Sequence, residues 1–172
     1  GLQEAQLQAL VEVDALCSAM YHDLGFDAAE VPVRSAADLA ALTRDHNVLV
    51  AEADPYQRRI LRVLLASPRI SAIEVEDGQS AVDLLALRSF DLLMLDMDLP
   101  NMTGVDVIRW VRRSLTPWAD IPILGLLDDK HRDSAGRLMS MGMTDWTSKP
   151  LSRHHLADKI VHLLPGLYDA GL

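Results

Sequence analysis

Acidic side chains and one lysine follow apolar runs that have the character of buried strands. Glu52 and Asp54 come after the run VLVA, Asp96 ends the run LLMLD, and Asp98 lies two residues further on. Lys149 directly follows the short segment MTDWTS. Carboxylates held close together repel and raise one another's pKa, and Mg²⁺ is a common oxygen-seeking partner for them. An aspartate, a metal ion and a lysine together can make a phosphoryl-transfer site in which the aspartate is the nucleophile.

The segments that carry these residues alternate between predicted strands and predicted helices. Strands are predicted at 48–52, 70–76, within 90–100 ending at Asp96, at 121–127 and at 143–148; helices are predicted at 55–67, 78–89, 104–115, 129–142 (stopped by Gly142) and 151–164. Five successive β-α units predict a parallel sheet with helices on both faces. Ligands of such sheets bind at the carboxyl ends of the strands, so we expect the acids and the lysine to gather there.

Four stretches of this pattern, VLVAEADP, LLMLDMDLPNMTG, IPILGLLDD and WTSKP, resemble the receiver domains of bacterial response regulators. The resemblance covers about residues 47–164 and implies a flavodoxin-like (βα)5 fold with a five-stranded parallel sheet. It implies that Asp96 is the phosphoacceptor, that Lys149 contacts the phosphoryl group, and that Trp146 occupies the position of the switch aromatic. It also implies Mg²⁺ as a cofactor, held by Glu52, Asp96 and the backbone of Asp98.

Two positions depart from the family pattern. The family places two adjacent acids after the first strand, and Ala53 stands where the direct Mg²⁺ ligand is expected. With one anionic ligand fewer, we expect weak Mg²⁺ binding. The family places Ser or Thr after the fourth strand, whereas this chain has Leu127, which has no hydroxyl to donate to a phosphoryl oxygen. Asp54 is expected to cap the helix that begins at Pro55 rather than to replace the missing ligand.

The chain outside this region predicts a helical extension and linker at 1–46 and a C-terminal tail at 165–172. Six apolar residues have helical spacing near the N-terminus, namely Leu7, Leu10, Val11, Leu16, Met20 and Leu24. This extension could form a coiled-coil homodimer or fold back onto the receiver-like domain, and the sequence favours neither. The net charge of −9 argues against direct nucleic-acid binding, and Cys17 is the only cysteine, which excludes a disulfide framework and a cysteine zinc site. No membrane segment is predicted, and we expect a cytoplasmic protein.

These observations predict a two-component receiver that is degenerate and impaired in phosphorylation. We expect it to be a regulatory or docking module for a histidine kinase or another two-component protein, within a hybrid kinase or a multidomain regulator. We expect no enzyme activity beyond self-catalysed transfer onto Asp96. One alternative is a working phospho-receiver with Mg²⁺ held by Glu52 and Asp96. Another is a pseudo-receiver that binds a nucleotide messenger. The family's usual contact face corresponds to 129–164, and Arg109, Arg112 and Arg113 are expected on a solvated helix face.

Overall fold

Five parallel strands form the centre of the protein. The computed structural model describes Leu42 and residues 44–164; the predicted N-terminal helix and the C-terminal tail at 165–172 lie outside the described residues. The strands have the spatial order β2-β1-β3-β4-β5. They are β1 His46–Ala51, β2 Ile70–Val75, β3 Leu92–Asp96, β4 Ile123–Leu127 and β5 Asp145–Ser148. This arrangement confirms the predicted five-stranded parallel receiver fold.

In the described part of the chain, five helices connect the strands and a sixth follows β5. They are α1 Pro55–Leu64, α2 Gly78–Leu87, α3 Gly104–Arg113, α4 Asp129–Arg132, α5 Ala135–Met141 and α6 Arg153–Leu163. The prediction of one helix over 129–142 was wrong, because the chain breaks between α4 and α5. At the break the Ser134 N–H donates to the His131 carbonyl three residues back, and Asp133 and Ser134 are residue types that favour helix ends over helix interiors. The predicted stop at Gly142 is confirmed by its φ of 121°.

The three central strands, β1, β3 and β4, are buried on both faces, and their alternation divides the core into two clusters. In β1, Val48 and Val50 join the cluster beneath α1 and α6, whereas Leu49 and Ala51 join the cluster beneath α2, α3 and α5. The other central strands alternate in the same way because successive side chains point to opposite faces. Continuous apolar strands are therefore needed to cover both sides of a parallel sheet, and the polar residues are displaced to the strand ends.

Side-chain caps fix the places where the helices begin, just after the carboxyl ends of the strands. Asp54 accepts the Tyr56 N–H at 2.9 Å at the start of α1, which confirms its predicted role as a cap. Thr103 and Asp106 form a reciprocal capping box at the start of α3. Because these caps satisfy backbone N–H groups that would otherwise lack partners, they hold the loops that follow β1 and β3 in defined positions.

One predicted surface arginine has a structural role. Arg112 was expected on a solvated face, but its guanidinium donates to the Gly142 carbonyl at 2.9 Å and the Ala119 carbonyl at 2.7 Å. It thereby joins the end of α3 to the loop before β4 and to the loop before β5. Arg109 and Arg113, its neighbours on the helix, are exposed as predicted.

A small residue is required where α3 begins, beside the end of β3. A Cβ added at Gly104 would lie 2.4 Å from the Asp96 carbonyl oxygen. We expect Gly104→Ala to lower the free energy of unfolding by roughly 1–3 kcal/mol, because backbone atoms must move to admit the methyl group. Urea denaturation followed by circular dichroism measures this change.

Gly136 in α5 is the matched control for this substitution. A Cβ there would meet no atom within 4 Å. Gly136→Ala is therefore expected to leave stability unchanged or to raise it by up to about 1 kcal/mol, as alanine does in an open helix position. Equal losses in the two variants would contradict the steric explanation for Gly104.

Candidate functional site

Three charged side chains from distant parts of the sequence meet at the carboxyl edge of the sheet. Asp96 is the last residue of β3, Glu52 directly follows β1, and Lys149 directly follows β5. The Lys149 Nζ atom donates to Glu52 Oε1 at 2.7 Å and to Asp96 Oδ1 at 3.1 Å. The structure thus brings together the acids and the lysine in the way that the strand-end pattern predicted.

These three side chains are largely withdrawn from solvent. Glu52 is fully buried, Asp96 is 6% exposed, and the Lys149 side chain is 16% exposed. The second carboxyl oxygen of Glu52, Oε2, has no hydrogen-bond partner among the described residues. Burial of a carboxylate without full compensation disfavours its charged form, so the protonation of Glu52 becomes central to the site.

The two carboxyl groups have opposite pKa shifts. Burial, reinforced by the hydrogen bond and negative charge of Asp96, raises the pKa of Glu52 to about 8 despite the opposing effect of Lys149. Burial also acts to raise the pKa of Asp96, but a hydrogen bond from Glu52 and the charge of Lys149 outweigh it and lower that pKa below its ordinary value. At neutral pH the pair therefore holds one proton on Glu52 and one negative charge on Asp96.

Lys149 provides the balancing positive charge. Burial alone would lower the pKa of its ammonium group, but contacts with Glu52 and Asp96 outweigh burial and raise it. A neutral Glu52, an ionised Asp96 and a charged Lys149 together have no net charge. The site consequently has little excess negative charge with which to attract a divalent cation.

The loop between β1 and α1 supplies no second carboxylate to the site. Ala53 occupies the position of the expected ligand, and the Arg58 guanidinium donates to the Glu52 carbonyl at 2.8 Å and to the Ala53 carbonyl at 2.9 Å. Asp54 is exposed and accepts the Tyr56 N–H as a helix cap. Sequence reasoning missed the role of Arg58, which only its position one turn into α1 could have suggested.

The residues at the two predicted switch positions lie in an apolar environment. Leu127 is fully buried in the cluster beneath α3 and α5, and Trp146 is half-buried against the same cluster. The backbone of Leu127 still contacts the site, since its carbonyl accepts the Lys149 N–H at 2.7 Å. The Leu127 side chain, however, belongs to the core and offers no hydrogen bond.

The Asp98 side chain is held by two basic residues that sequence reasoning missed. The Lys130 Nζ atom lies 2.8 Å from one carboxylate oxygen of Asp98, and His131 Nε2 lies 3.6 Å from the other. The Nδ1 atom of His131 lies 2.7 Å from Asp128, the cap of α4. A basic pair directly after the fourth strand was the available signal, because that position also opens onto the carboxyl edge of the sheet.

The fold and this site define a class of α/β protein with an aspartate and a lysine at the carboxyl edge of a five-stranded parallel sheet. The family model described as the response regulator receiver domain matches residues 48–161. The chain therefore belongs to the receiver domain family of response regulators. Receiver domains are signalling modules of two-component systems, in which they interact with histidine kinases and other two-component proteins.

Comparisons with individual proteins agree with this assignment. The chemotaxis protein CheY of Pseudomonas aeruginosa is 29% identical over 114 residues, covering 66% of this chain and 91% of CheY. The receiver domain of a signal transduction histidine kinase from Syntrophus aciditrophicus superposes with a TM-score of 0.64 at 26% identity, covering 73% of this chain and 94% of that one. The receiver domain of a Pseudomonas aeruginosa sensor histidine kinase superposes with a TM-score of 0.62 at 22% identity, covering 69% of this chain and 97% of that one. That structure has a magnesium ion coordinated in its active site cleft.

The chain spans less than half the length of several curated relatives that it matches. Its match covers 19% of one autoinducer sensor kinase from Vibrio cholerae and 48% of a cell-cycle transcriptional regulator from Caulobacter vibrioides. Receiver domains thus occur in these relatives as parts of longer proteins. None of the helices within residues 44–164 has both the length and the apolar character needed to span a membrane.

The residues at the site fit a bound Mg²⁺ ion poorly. The cation prefers several anionic or neutral oxygen ligands in octahedral geometry, whereas here two carboxyl groups, those of Glu52 and Asp96, face each other and Lys149 contacts both. Ala53 provides no side-chain oxygen. The charge that a metal ion would supply between the carboxyl groups is supplied by the Lys149 ammonium group.

The raised pKa of Glu52 predicts a specific pH dependence of stability. Its ordinary value is 4.5 and its value in the folded protein is about 8. Between these pH values the folded protein holds a proton that the unfolded chain releases, so the free energy of unfolding falls as pH rises. Glu52→Gln imitates the protonated form, and we expect it to match the native protein at pH 5 and to exceed its stability at pH 8 by on the order of a few kcal/mol.

Urea denaturation at several pH values from 5 to 8 measures this effect. The lowered pKa of Asp96 changes stability only at pH values around and below its ordinary value of 3.8. The raised pKa of Lys149 changes stability only at pH values around and above 10.5, so neither group titrates between pH 5 and 8. Asp83→Asn removes an exposed carboxylate on α2, keeps an oxygen that can accept from Gln79, and serves as the control. A constant stability difference between Glu52→Gln and the native protein at every pH would rule out the protonated state.

Proposed function

We propose that this receiver domain is a degenerate, phosphorylation-impaired docking module of a two-component system, with the domain at 47–164, the extension at 1–46 and the tail at 165–172. The observation that carries the proposal is the neutral trio of Glu52, Asp96 and Lys149. It supports the proposal because Lys149 already occupies the space between the two carboxyl groups: its Nζ atom lies 3.1 Å from the ionised Asp96 and 2.7 Å from Glu52.

Two departures from the family pattern support impaired phosphoryl transfer. A metal ion normally neutralises the charge that develops on the transferred phosphoryl group, and Ala53 removes a ligand for that ion. A hydroxyl at position 127 would donate to a phosphoryl oxygen, and Leu127 cannot. The loss of one such donor costs about 3–4 kcal/mol in enzymes that stabilise an oxyanion, which is enough to suppress accumulation of a labile phosphoaspartate.

A working phospho-receiver is the second candidate, and one observation favours it. The lowered pKa of Asp96 keeps this carboxylate ionised, as a nucleophile must be, and Lys149 is in place to contact an incoming phosphoryl group. In this candidate Asp96 attacks the phosphorus atom and the donor departs with the electron pair of the broken bond. The two candidates differ in whether Asp96 reacts at all, and so they can be separated directly.

The proposed partners are a histidine kinase or another two-component protein. The face proposed for this contact is the family's usual one, formed here by α4, α5, β5 and α6. Met139 is an exposed apolar residue of α5, and the Lys159–Asp145 ion pair at 2.9 Å joins α6 to β5. A pair of this kind steers partners and sets specificity more than it adds affinity.

Intact-protein mass spectrometry after incubation with acetyl phosphate and Mg²⁺ tests the proposal. We expect no gain of a phosphoryl mass in the native chain or in Asp96→Asn. The double variant Ala53→Asp with Leu127→Thr introduces an acid and a hydroxyl at the two positions that differ from the family pattern. We expect it to gain one phosphoryl group per chain. The gain should disappear when Asp96→Asn is added to the double variant.

Mg²⁺ titration calorimetry provides a separate readout of the metal site. Ala53→Asp alone is expected to tighten Mg²⁺ binding by at least tenfold, because it adds an anionic oxygen ligand. Circular dichroism verifies that each variant is folded. Phosphorylation of the native chain at Asp96 would refute the proposal of a phosphorylation-impaired module and establish the working phospho-receiver.

A further inference from the structure

A groove between α2 and α3 lies apart from the site at the carboxyl edge. Ala86 contributes one wall from α2, and Trp110 and Trp118 stack against each other with ring centroids 4.8 Å apart and an interplanar angle of 14°. Arg109 and Arg113 line the groove one helical turn apart on α3, and the cavity has a volume of about 750 Å³. Tryptophan and arginine are the residue types that most often dominate binding energy at protein interfaces.

The surface around the groove is unusually apolar for one facing solvent. Leu87, next to Ala86, is 79% exposed, and Leu115, between two residues that line the groove, is fully exposed. Trp110 is 37% exposed. Apolar side chains gathered beside a cavity mark a surface that another chain segment covers. The Trp110–Trp118 stack adds a rigid, flat platform for such a segment.

The groove is positively charged although the chain as a whole is acidic. Its ionisable lining residues are Arg109, Arg113 and Asp106. The Asp106 carboxylate accepts both the Thr103 N–H at 3.3 Å and the Thr103 hydroxyl at 2.9 Å in the capping box. Two arginines thus face the groove against one carboxylate that is already bound, on a chain with a net charge of −9. This charge distribution favours an anionic occupant.

The N-terminal segment of this same chain has the matching chemistry. Residues 1–41 contain seven acidic residues and one arginine, a net charge of −6. They also contain the apolar residues at helical spacing that predict an amphipathic helix. We propose that residues 1–41 dock into the groove of their own chain, with apolar side chains on the tryptophan platform and acidic side chains beside Arg109 and Arg113.

The length of the chain permits this contact. Leu42 is 4% exposed and packs in the cluster beneath α1 and α6, on the face of the sheet opposite to the groove. Residues 25–41 lie between the predicted helix and Leu42, and 17 extended residues reach roughly 55 Å. A domain of this size is about 35 Å across, so a linker of this length is long enough to reach the other face of the sheet. Tethering makes the contact intramolecular, which raises its effective concentration to roughly the millimolar range.

Cys17 allows a direct test with the full-length chain. It is the only cysteine and lies within the proposed docking segment, so a nitroxide spin label attaches at one position. The ¹⁵N spectrum is recorded with the nitroxide intact and again after its chemical reduction. We expect the indole N–H signals of Trp110 and Trp118 to have less than half the intensity in the first spectrum that they have in the second. Trp146, on the edge strand β5, is expected to lose less and serves as the internal reference.

Charge reversal separates docking in the groove from other contacts. Arg109→Glu with Arg113→Glu is expected to remove the intensity loss. The matched control is Arg59→Glu with Arg137→Glu, which makes the same charge change at two exposed helical arginines outside the groove and is expected to keep the loss. Unaltered signals in the labelled native chain, or a loss that survives reversal of Arg109 and Arg113, would overturn the proposal.

A mixing experiment distinguishes docking within one chain from docking between two copies of the chain. Spin-labelled chain without ¹⁵N is mixed with unlabelled ¹⁵N chain, and docking within one chain predicts no intensity loss in this mixture. If the tryptophan signals of the mixture lose intensity as they do in the chain that carries both the spin label and ¹⁵N, the segment docks on a second copy of the chain and the proposal is overturned. The native-like ¹⁵N spectrum of each variant verifies that it is folded.

Discussion

The contact of one ammonium group with two buried carboxyl groups is the constraint on which the site depends. Lys149 joins the ends of β1, β3 and β5 through Glu52 and Asp96, across sequence separations of 97 and 53 residues. Isolated charges at this depth would each cost several kcal/mol. The proton retained by Glu52 reduces the number of buried charges to two of opposite sign. This balance lowers the free-energy cost of burying all three side chains at the edge of the sheet.

The departures from the family pattern are consistent with that balance. An aspartate at position 53 would bring another negative charge next to Glu52 and Asp96, which Lys149 alone could not neutralise, so a metal ion would be required. Ala53 removes that requirement. Leu127 places an apolar side chain, buried in the core cluster, where the family pattern has a hydroxyl. Both departures therefore suit an arrangement in which Lys149 balances the site without a metal ion.

Much of the fold could be predicted from the sequence because parallel strands buried on two faces produce apolar runs that few other structures require. Asp96 and Lys149 could be placed at one edge for the same reason, since polar residues are tolerated only where the strands end. The protonation of Glu52 could not be predicted, because it depends on burial and on the nearby Asp96 carboxylate, which come about only after β1 and β3 are brought together. The contacts of Arg112 likewise depend on tertiary packing, which local propensity does not contain.

A receiver that does not use phosphorylation must be regulated by molecules that bind its alternative states with different affinity. In this chain the loops after β3 and β4 are joined by contacts of Lys130 and His131 with Asp98, which are made without a phosphoryl group. These contacts are largely exposed, since the side chains of Lys130 and Asp98 are 66% and 46% accessible, so each contributes little to stability. The α4 helix begins the face proposed for partner binding. Because α4 carries both this face and the contacts with Asp98, the proposed partner face and the loop after β3 are connected by one short helix.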